Sequence, residues 1–284
     1  MSNYWKDIAK KSRDVQYEDP EQRLRIKIAG IRGFAVPVTT FSKDNLVFAS
    51  ASISAFVDVP ENTRGINMSR TAVSISSALN SASKIEKLAN RIAFKLLKVH
   101  EYSALSDVRL KGEGFIFTKS PVTELQSIER FGFFESSKVD RGGSGENTFG
   151  VKVTGISACP CGAELMKTKL NSSDISPTHM QRAEVKVAVR IKGKNFVEFK
   201  KLVDIAYRSF SGRVYSSLKR ADEAFLIYFS LKNTRFVEDI YRLAVSELYR
   251  KFKDTKGVLG VYASVRSMES IHGYDAAASG WLNV

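Results

Sequence analysis

Alternating apolar and polar positions predict strands in the first half of the chain, and a helical apolar spacing predicts helix between them. The strand pattern covers residues 24–28, 47–59, 104–108 and 114–118. Between residues 69 and 100 the apolar residues recur with helical spacing, which places Ile85, Leu88, Ile92 and Leu96 on one face. The first half is therefore predicted to combine strands with helix.

The second half repeats this order of patterns. Strands are predicted at 149–156, 184–190 and 258–265, helices at 196–210 and 235–252, and a polar loop at 167–177. The apolar stripe of the last helix is predicted to comprise Phe236, Ile240, Leu243 and Leu248. No similarity between individual residues accompanies the repeat, so the duplication is one of architecture.

A glycine-rich stretch, residues 141–145, separates the two halves and is expected to be a flexible linker. The order of strands and helices in each half favours an α+β fold, with an antiparallel sheet and helices packed on one face of it. We expect two modules, residues 1–145 and 146–284, with the cysteine and histidine motifs in the second.

The composition fits a protein with a substantial core and a basic surface. Hydrophobic residues make up 43% of the 284 residues, and the net charge is +14. No apolar run reaches the roughly 18 residues of a membrane span, and the first residues lack a signal-peptide pattern. We therefore expect a cytoplasmic protein without a membrane partner. The basic residues are dispersed, so the charge is compatible with a phosphorylated ligand without indicating one.

The two cysteines carry the clearest chemical signal. Cys159 and Cys161 are separated by Pro160, and His179, one of three histidines, follows them. A disulfide between thiols this close in sequence would be strained, and the absence of other cysteines favours a reducing compartment. Thiolate and imidazole are ligands that borderline divalent metals prefer. The pattern indicates a metal or catalytic site; the alternative is two small buried residues at a turn beside a solvated histidine.

Short motifs with a recognisable order extend over nearly the whole chain. They are residues 14–16, 29–31 leading to 37–38, 49–60 (ASASISAFVDVP), 64–70 (RGINMSR), 155–161 (GISACPC), 178–182 (THMQR), 218–223 (LKRADE), 235–239 (RFVED) and 269–272 (ESIH). Each motif alone is weak evidence, whereas the ordered set is highly specific. Together they resemble the type IB GTP cyclohydrolases, including the archaeal methanopterin-branch members of that family.

The resemblance implies a tunnelling fold with two such modules per chain, assembled as a homotetramer with active sites at subunit interfaces. It also implies metal-dependent hydrolysis of GTP, which opens the guanine imidazole ring and expels C8 as formate. The archaeal branch is associated with a dihydroneopterin 2′,3′-cyclic phosphate and with ferrous iron, so we expect this product. The alternative product is the dihydroneopterin triphosphate of the bacterial members.

The resemblance places the metal ligands at Cys159, His179, Glu223 and His272. Thiolate, imidazole and carboxylate together suit Fe(II), Zn or Mn and do not suit Mg, which prefers oxygen ligands alone. One divalent ion per subunit is expected, with Fe(II) favoured. A catalytic metal keeps one coordination position open, which leaves room for one of the four residues to act outside the metal shell. Without the resemblance, Glu223 would be interpreted as a surface carboxylate in an ion-pair cluster.

The candidate catalytic residues are Cys161, His179 and His272. The resemblance assigns catalysis to the second cysteine, and a thiolate near a cation can act as acid, base or nucleophile. The alternative for Cys161 is a small buried thiol. His272 would serve as a metal ligand or a proton shuttle. Glu238 corresponds to the purine-binding residue of the family, since a carboxylate can accept the N1 and 2-amino protons of guanine; its alternative role is with the helix dipole.

The triphosphate of GTP requires cations, and the candidates in or beside the motifs are Arg70, Arg182, Lys219 and Arg220. Arginine presents a fork of donors that matches phosphate oxygens. The sequence contains no GxxxxGK[ST] or GxGxxG loop, so neither standard phosphate cradle is present. His100 is expected to cap or cover a helix end and is assigned no chemistry.

Two departures and two alternative functions accompany the resemblance. Asn67 stands where certain bacterial members carry histidine, and the loop between the cysteines and His179 is longer than in some relatives.

One alternative function is that of a tunnelling-fold nitrile reductase, which needs a nicotinamide cofactor and no metal; the paired cysteines with His179 and His272 argue against it. The other is a basic nucleic-acid-binding protein with structural zinc, against which the single Cys-x-Cys and the lack of an RNA-recognition signature argue. We expect no nucleic-acid partner.

Overall fold

The computed structural model describes residues 2–41, 46–79, 84–171 and 175–284. Strands in this part of the chain are β1 (Ile26–Phe41), β2 (Leu46–Val59), β3 (Leu105–Lys119), β4 (Gln126–Asp140), β5 (Gly145–Ala158), β6 (Met180–Lys192), β7 (Gly212–Arg213), β8 (Val258–Met268) and β9 (Asp275–Asn283). The helices are α1 (Ser2–Lys11), α2 (Met68–Leu79), α3 (Leu88–Val99), α4 (Pro160–Leu170), α5 (Phe199–Ser209), α6 (Arg220–Lys232) and α7 (Val237–Phe252). Short 3-10 turns lie at Val15–Tyr17 and Ile85–Lys87.

The described strands form a single antiparallel sheet of nine strands in the order β1-β2-β3-β4-β5-β6-β8-β9, with β7 paired to β5. The expectation of a tunnelling fold built from two modules, each with its own sheet, is wrong. The register from Gly132↔Lys152 to Val139↔Gly145 joins β4 to β5, so the two halves share one sheet. The structure supports the α+β class alone, and the division of the chain at residue 145 stays a prediction.

Residues 141–145 form the tight turn of the β4–β5 hairpin, and the expectation of a flexible linker is wrong. The Gly143 N–H donates to the Asp140 carbonyl at 3.0 Å, and Gly143 has a φ of 77°, where a glycine is favoured. The Arg141 guanidinium donates to backbone carbonyls at the end of α3, including those of Leu97 and His100. These bonds connect the turn to the helix layer and hold the strands on either side of it in register.

Helices α3, α5 and α7 pack on one face of the sheet and close the core. The predicted stripe of Ile85, Leu88, Ile92 and Leu96 is buried, which confirms that interpretation. The stripe predicted for the last helix is only partly right. Phe236 precedes α7 and is 44% exposed, and Leu243 is half-buried, whereas Ile240 and Leu248 are buried as predicted.

Several elements escaped the sequence patterns for identifiable reasons. Strand β4 places Glu129, Glu135 and Ser137 at buried positions, which interrupts the apolar alternation that marks a strand. Helix α6 exposes large apolar side chains and buries Asp222 and Ser230, so it shows no inward apolar stripe. Strand β9 and helix α4 were also missed, and α4 occupies part of the predicted loop at 167–177, of which residues 172–174 lie outside the described residues. No helix of the described chain is both long and apolar enough to span a membrane.

Candidate active site

The candidate site lies at the edge of the sheet where β5 ends and β6 begins. Ala158 and Met180 are the last paired residues of these strands. One step further, the Cys159 N–H donates to the His179 carbonyl at 3.2 Å, and the Thr178 hydroxyl donates to the Cys159 carbonyl at 2.8 Å. Strand pairing therefore brings the first cysteine and the histidine side by side, although α4 and a long loop separate them in sequence.

Helix α4 begins directly at the cysteine motif. Pro160 occupies the first turn, where its missing N–H costs no hydrogen bond, and Cys159 is the N-cap. The Cys159 Sγ accepts a hydrogen bond from the Gly162 N–H at 3.4 Å. The first thiol is thereby held at the start of the helix, where the free backbone N–H groups and the positive end of the helix dipole lie.

Gly162 permits the first turn of α4 to lie close to Thr178 and His179. A Cβ at this position would clash with Thr178 Oγ1 and would lie 3.4 Å from His179 Cδ2. The ring edge that carries Cδ2 also carries Nε2, so this edge of His179 faces the first turn of α4. The thiol of Cys159 and the imidazole of His179 consequently converge on one small region.

Gln181 orients the imidazole ring, a role that the sequence analysis did not assign. Its Oε1 lies 2.9 Å from His179 Nδ1, and its Nε2 donates to Ser267 Oγ and to Glu269 Oε1 at 3.3 and 3.2 Å. Because the Gln181 amide N–H groups point to Ser267 and Glu269, Oε1 faces the ring and His179 donates from Nδ1, which leaves the Nε2 lone pair free. The two-residue spacing from His179 places both side chains on one face of a strand and was the available signal.

Cys161 is exposed, whereas Cys159 is partly buried. No residue of α4 is buried, so the helix presents its surface to solvent. The alternative of a small buried thiol therefore does not hold for Cys161, and its side chain is accessible to a ligand approaching this edge.

Glu238 lies close to the cysteine motif because the start of α7 is bonded to the end of β5. The Arg235 N–H donates to the Ala158 carbonyl at 2.9 Å, and the Arg235 guanidinium donates to three carbonyls at the end of α5, those of Arg208, Ser209 and Phe210. Glu238 follows in the first turn of α7 and is exposed. Within the described chain its carboxylate makes no ion pair, so it can bind an incoming donor.

Helix α6 carries Glu223 together with Lys219 and Arg220, all exposed at its start. Asp222, fully buried, fixes this helix end by accepting hydrogen bonds from the backbone N–H groups of Val122, Thr123 and Lys219 and from the Thr123 hydroxyl. Burial acts to raise the pKa of Asp222, but these hydrogen bonds outweigh it and hold the pKa well below its ordinary value. No role for Asp222 was predicted from the sequence, since no motif pattern marks its carboxylate as a buried anchor of the helix start.

The remaining predicted residues form no hydrogen bond to Cys159 or His179 within the described chain. His272 is exposed in the β8–β9 connection and stacks on Tyr274, with ring centroids 5.0 Å apart. Arg70 lies on α2, which packs beside β1 at one edge of the sheet, and donates to the Tyr17 hydroxyl at 2.7 Å. Arg182 is exposed on β6 near the site. The described part of a single chain assembles no group of three or more His, Cys, Asp or Glu that could hold a metal ion.

The donors that do converge fit a borderline divalent metal in chemical type. Cys159 provides sulfur and His179 provides the Nε2 lone pair, while Gln181 binds the other ring nitrogen as partners of metal-bound histidines commonly do. Two ligands do not complete a metal site. The assignments of Glu223 and His272 as further ligands therefore stay predictions.

Comparisons with known proteins agree with the motif order. Residues 13–278 match the family model described as type I GTP cyclohydrolase folE2. GTP cyclohydrolase MptA 1 of Methanocella arvoryzae is 30% identical to the chain, covering 93% of the chain and 91% of that protein. GTP cyclohydrolase MptA of Korarchaeum cryptofilum is 31% identical, covering 96% of the chain and 92% of that protein.

Solved structures resemble the chain in fold alone. A hyperthermostable mutant of Bacillus sp. TB-90 urate oxidase aligns with a TM-score of 0.54 at 10% identity, covering 91% of this chain and 98% of the oxidase. A highly active mutant of the same enzyme aligns with a TM-score of 0.53, also at 10% identity, over 91% and 100% of the two chains. The family match extends over nearly the whole sequence and includes the place where Cys159 and His179 meet, which we call the Cys159–His179 corner. This chain therefore belongs to the type I GTP cyclohydrolase folE2 family.

Proposed function

We propose that this GTP cyclohydrolase serves pterin biosynthesis by opening the imidazole ring of GTP, releasing C8 as formate and forming a dihydroneopterin phosphate. The 2′,3′-cyclic phosphate is the favoured product, since the relatives are archaeal enzymes named GTP cyclohydrolase MptA. The observation that carries the proposal is the convergence of Cys159 and His179, with the imidazole oriented by Gln181. A site of this composition suits metal-assisted hydrolysis.

Cys159 and His179 would hold the divalent ion, with Glu223 and His272 as the proposed further ligands. Fe(II) is favoured and Zn or Mn is compatible, because all three accept sulfur and nitrogen ligands. A bound divalent ion supplies a water of lowered pKa near neutral pH. The contribution of the chain is to hold the ring of His179 in one orientation through Gln181, so that the direction of the Nε2 lone pair is set before substrate binds.

The other residues of the corner bind substrate and move protons. Glu238 accepts the N1 and 2-amino protons of guanine, a pair of donors that adenine lacks. Cys161, exposed on the first turn of α4, exchanges a proton with the purine ring as it opens. The exposed cations Arg182, Lys219 and Arg220 bind the phosphates.

A homotetramer with shared sites would unite the residues that a single chain keeps apart. Arg70 lies beside β1, the first strand of the sheet, whereas His179 directly precedes β6, the sixth, so Arg70 would reach a site of this kind in a neighbouring subunit. Helix α6 exposes Phe225, Ile227 and Tyr228, each more than 40% accessible, beside Glu223. Apolar side chains clustered on a surface are typical of subunit contacts, which supports an interface at this helix.

Anaerobic turnover tests the proposed reaction. Metal-stripped protein is supplied with GTP and with Fe(II), Zn or Mn, and formate and the pterin are measured by mass spectrometry. Formate together with a cyclic phosphate supports the full proposal. Formate together with a triphosphate supports the reaction but shows that dihydroneopterin triphosphate is the product. If no metal yields formate, the proposed reaction is wrong.

The two cysteines are expected to differ in their effect on metal content. Cys161→Ala should lower kcat by about 10²- to 10⁴-fold, as expected when a proton-transfer group is lost, while bound metal stays near the wild-type amount. Cys159→Ala should remove both metal and activity. Metal content by mass spectrometry and kcat on the same samples separate these roles, and metal loss in Cys161→Ala would reverse the assignment of the two thiols.

Glu238→Gln should weaken guanine recognition without unfolding the protein, since the side chain is exposed. Losing hydrogen bonds to a charged acceptor should raise KM for GTP by about 10- to 100-fold. Inosine triphosphate lacks the 2-amino group, so the wild type should prefer GTP and the variant should lose that preference. An unchanged ratio of kcat/KM for the two nucleotides would remove Glu238 as the purine contact.

A further inference from the structure

The face of the sheet turned away from α3 carries a basic pocket of about 480 Å³. Arg109 and Lys111 flank the buried Leu110 on β3, and Lys186 lies between the buried Val185 and Val187 on β6. Because successive side chains of a strand point to opposite faces, these cations project from the uncovered face. Arg32 on β1 completes the set. We call this hollow the open-face pocket.

The strand register places the hydroxyl groups of the pocket beside its cationic groups. Ser52 on β2 pairs with Lys111 on β3, and Arg109 on β3 pairs with Ser54 on β2 and with Ser136 on β4. Hydroxyl groups therefore alternate with cationic groups over a short span of sheet. Donors in this arrangement suit an anion with several oxygen atoms.

Aromatic rings contact three of the four cationic groups, those of Arg32, Arg109 and Lys186, without neutralising them. The Arg32 and Arg109 guanidinium groups both lie 5.8 Å from the centre of the Phe56 ring, and Lys186 Nζ lies 4.5 Å from that of Phe134. The ring of Phe134 in turn lies over Gly150, where a Cβ would clash with it. The positive groups are thus oriented by rings that carry no charge.

The nearby carboxylates leave most of this charge unbalanced. Asp107 is bonded to Arg109 at 2.8 and 3.1 Å, and Glu184 is paired with Lys152 at 2.8 Å. The buried Glu135, which also lines the pocket, accepts a hydrogen bond from the Ala89 N–H and forms no ion pair in the described chain. In the part of the chain that the structure describes, Arg32, Lys111 and Lys186 form no ion pair. A concave site lined by uncompensated charge of one sign concentrates counter-ions of the other sign.

We propose that the open-face pocket binds a small polyanion that carries at least two phosphate groups. Its volume falls within the range of roughly 300–1,000 Å³ of small-molecule sites. The three cations without carboxylate partners carry more positive charge than one phosphate monoanion would neutralise, and the serine hydroxyls add hydrogen-bond donors. Lys186 lies six residues along β6 from Met180, a path of about 20 Å at the rise of a strand, so this site is separate from the Cys159–His179 corner.

Isothermal titration of the full-length protein with inorganic tripolyphosphate tests the proposal. Lys111→Gln/Lys186→Gln should remove one binding event per chain or weaken it at least about 10-fold, as loss of two charge-assisted contacts implies. Lys251→Gln/Lys253→Gln, on the exposed end of α7, changes the net charge equally and should leave the binding unchanged. Equal weakening in both double variants would overturn the proposal, because it would show a response to total charge.

Two further comparisons separate this site from other anion sites. Tripolyphosphate binding that survives in Lys111→Gln/Lys186→Gln but disappears in Lys219→Gln/Arg220→Gln would place the ligand at the active-site cations and overturn the proposal. A single-stranded oligonucleotide serves as the second comparison. If it binds much more tightly than tripolyphosphate, and Lys111→Gln/Lys186→Gln removes that binding, the pocket binds nucleic acid and the proposal is overturned. GTP turnover is measured separately, so failure of the proposed reaction does not affect this result.

Discussion

His100 and His179 carry the same side chain but differ in how many of their ring nitrogens are bonded within the protein. His100 ends α3, is fully buried and has both ring nitrogens engaged, with Thr71 Oγ1 at 3.0 Å and the Tyr102 hydroxyl at 3.1 Å. His179 retains 17% side-chain exposure and has one ring nitrogen held by Gln181. The first histidine has no capacity left for a ligand, whereas the second keeps one lone pair available.

The difference shows that orientation combined with a free nitrogen distinguishes a reactive histidine from a structural one. Burial, with the positive charge of Arg70 added, lowers the pKa of His100 from its ordinary value of 6.5, which favours the neutral ring in the folded protein at neutral pH. Its role at a helix end was predicted from sequence and is confirmed by the hydrogen bond from its N–H to the Leu96 carbonyl at 2.9 Å.

His179→Asn should give the largest effect that this comparison predicts. Loss of the imidazole should lower kcat for GTP by about 10²- to 10⁴-fold, the usual contribution of a positioned proton-transfer group, with a larger loss if metal is released. The thermal midpoint should change little, because the ring is at the edge of the sheet. Measuring kcat, bound metal and Tm on the same samples checks this prediction. If the variant keeps its activity, His179 has no role in the reaction and does not differ from His100 in function.

Gln181→Leu tests whether ring orientation matters. Removing a partner of a metal-binding histidine typically costs about 10- to 100-fold in metal affinity or activity, and we expect a loss of this size. Gln181→Met, which fills similar space without an amide group, should lose as much as Gln181→Leu. Metal titration followed by turnover measures both quantities. Wild-type activity in Gln181→Met would show that Gln181 acts only through packing.

His100→Phe should affect stability and leave the chemistry intact. The hydroxyls of Thr71 and Tyr102 lose their buried partner, at a cost of about 1–3 kcal/mol in the free energy of unfolding. Chemical denaturation measures this change, and kcat should match the wild type after correction for folded protein. His100→Gln, which can still bond a hydroxyl, should be less destabilising.

The pH dependence of stability gives the smallest and most specific effect. Because the pKa of His100 is lowered in the folded state, the unfolded state binds an extra proton below pH 6.5. The contribution of His100 to stability is therefore complete above pH 6.5 and declines as the pH falls below it. The slope of unfolding free energy between pH 5 and 6.5 should be shallower in His100→Phe. An unchanged slope would mean that folding does not lower the pKa of this ring.

Local sequence patterns predicted the elements whose physics is local. The stripe of Ile85, Leu88, Ile92 and Leu96 and the alternation over residues 184–190 produced a helix and a strand as expected. Strand β4 was missed because Glu129 and Glu135 occupy its core side. The pKa of Glu135 is raised to about 8 by burial, with the nearby charge of Glu86 adding to it, so this residue is protonated at neutral pH and behaves as a polar core residue.

The ordered motifs identified the family from the sequence alone and predicted the residue types of the candidate site. Thiol, imidazole and carboxylate occur in an ordered set of motifs, and those residue types limit the possible chemistry wherever the chain places them. The three-dimensional structure was needed to show that both halves share one sheet, that Gln181 orients His179, and that Asp222 is buried at the start of α6. These features depend on strand pairing and packing between distant segments, where the free energy of the whole fold selects the partner of each polar group.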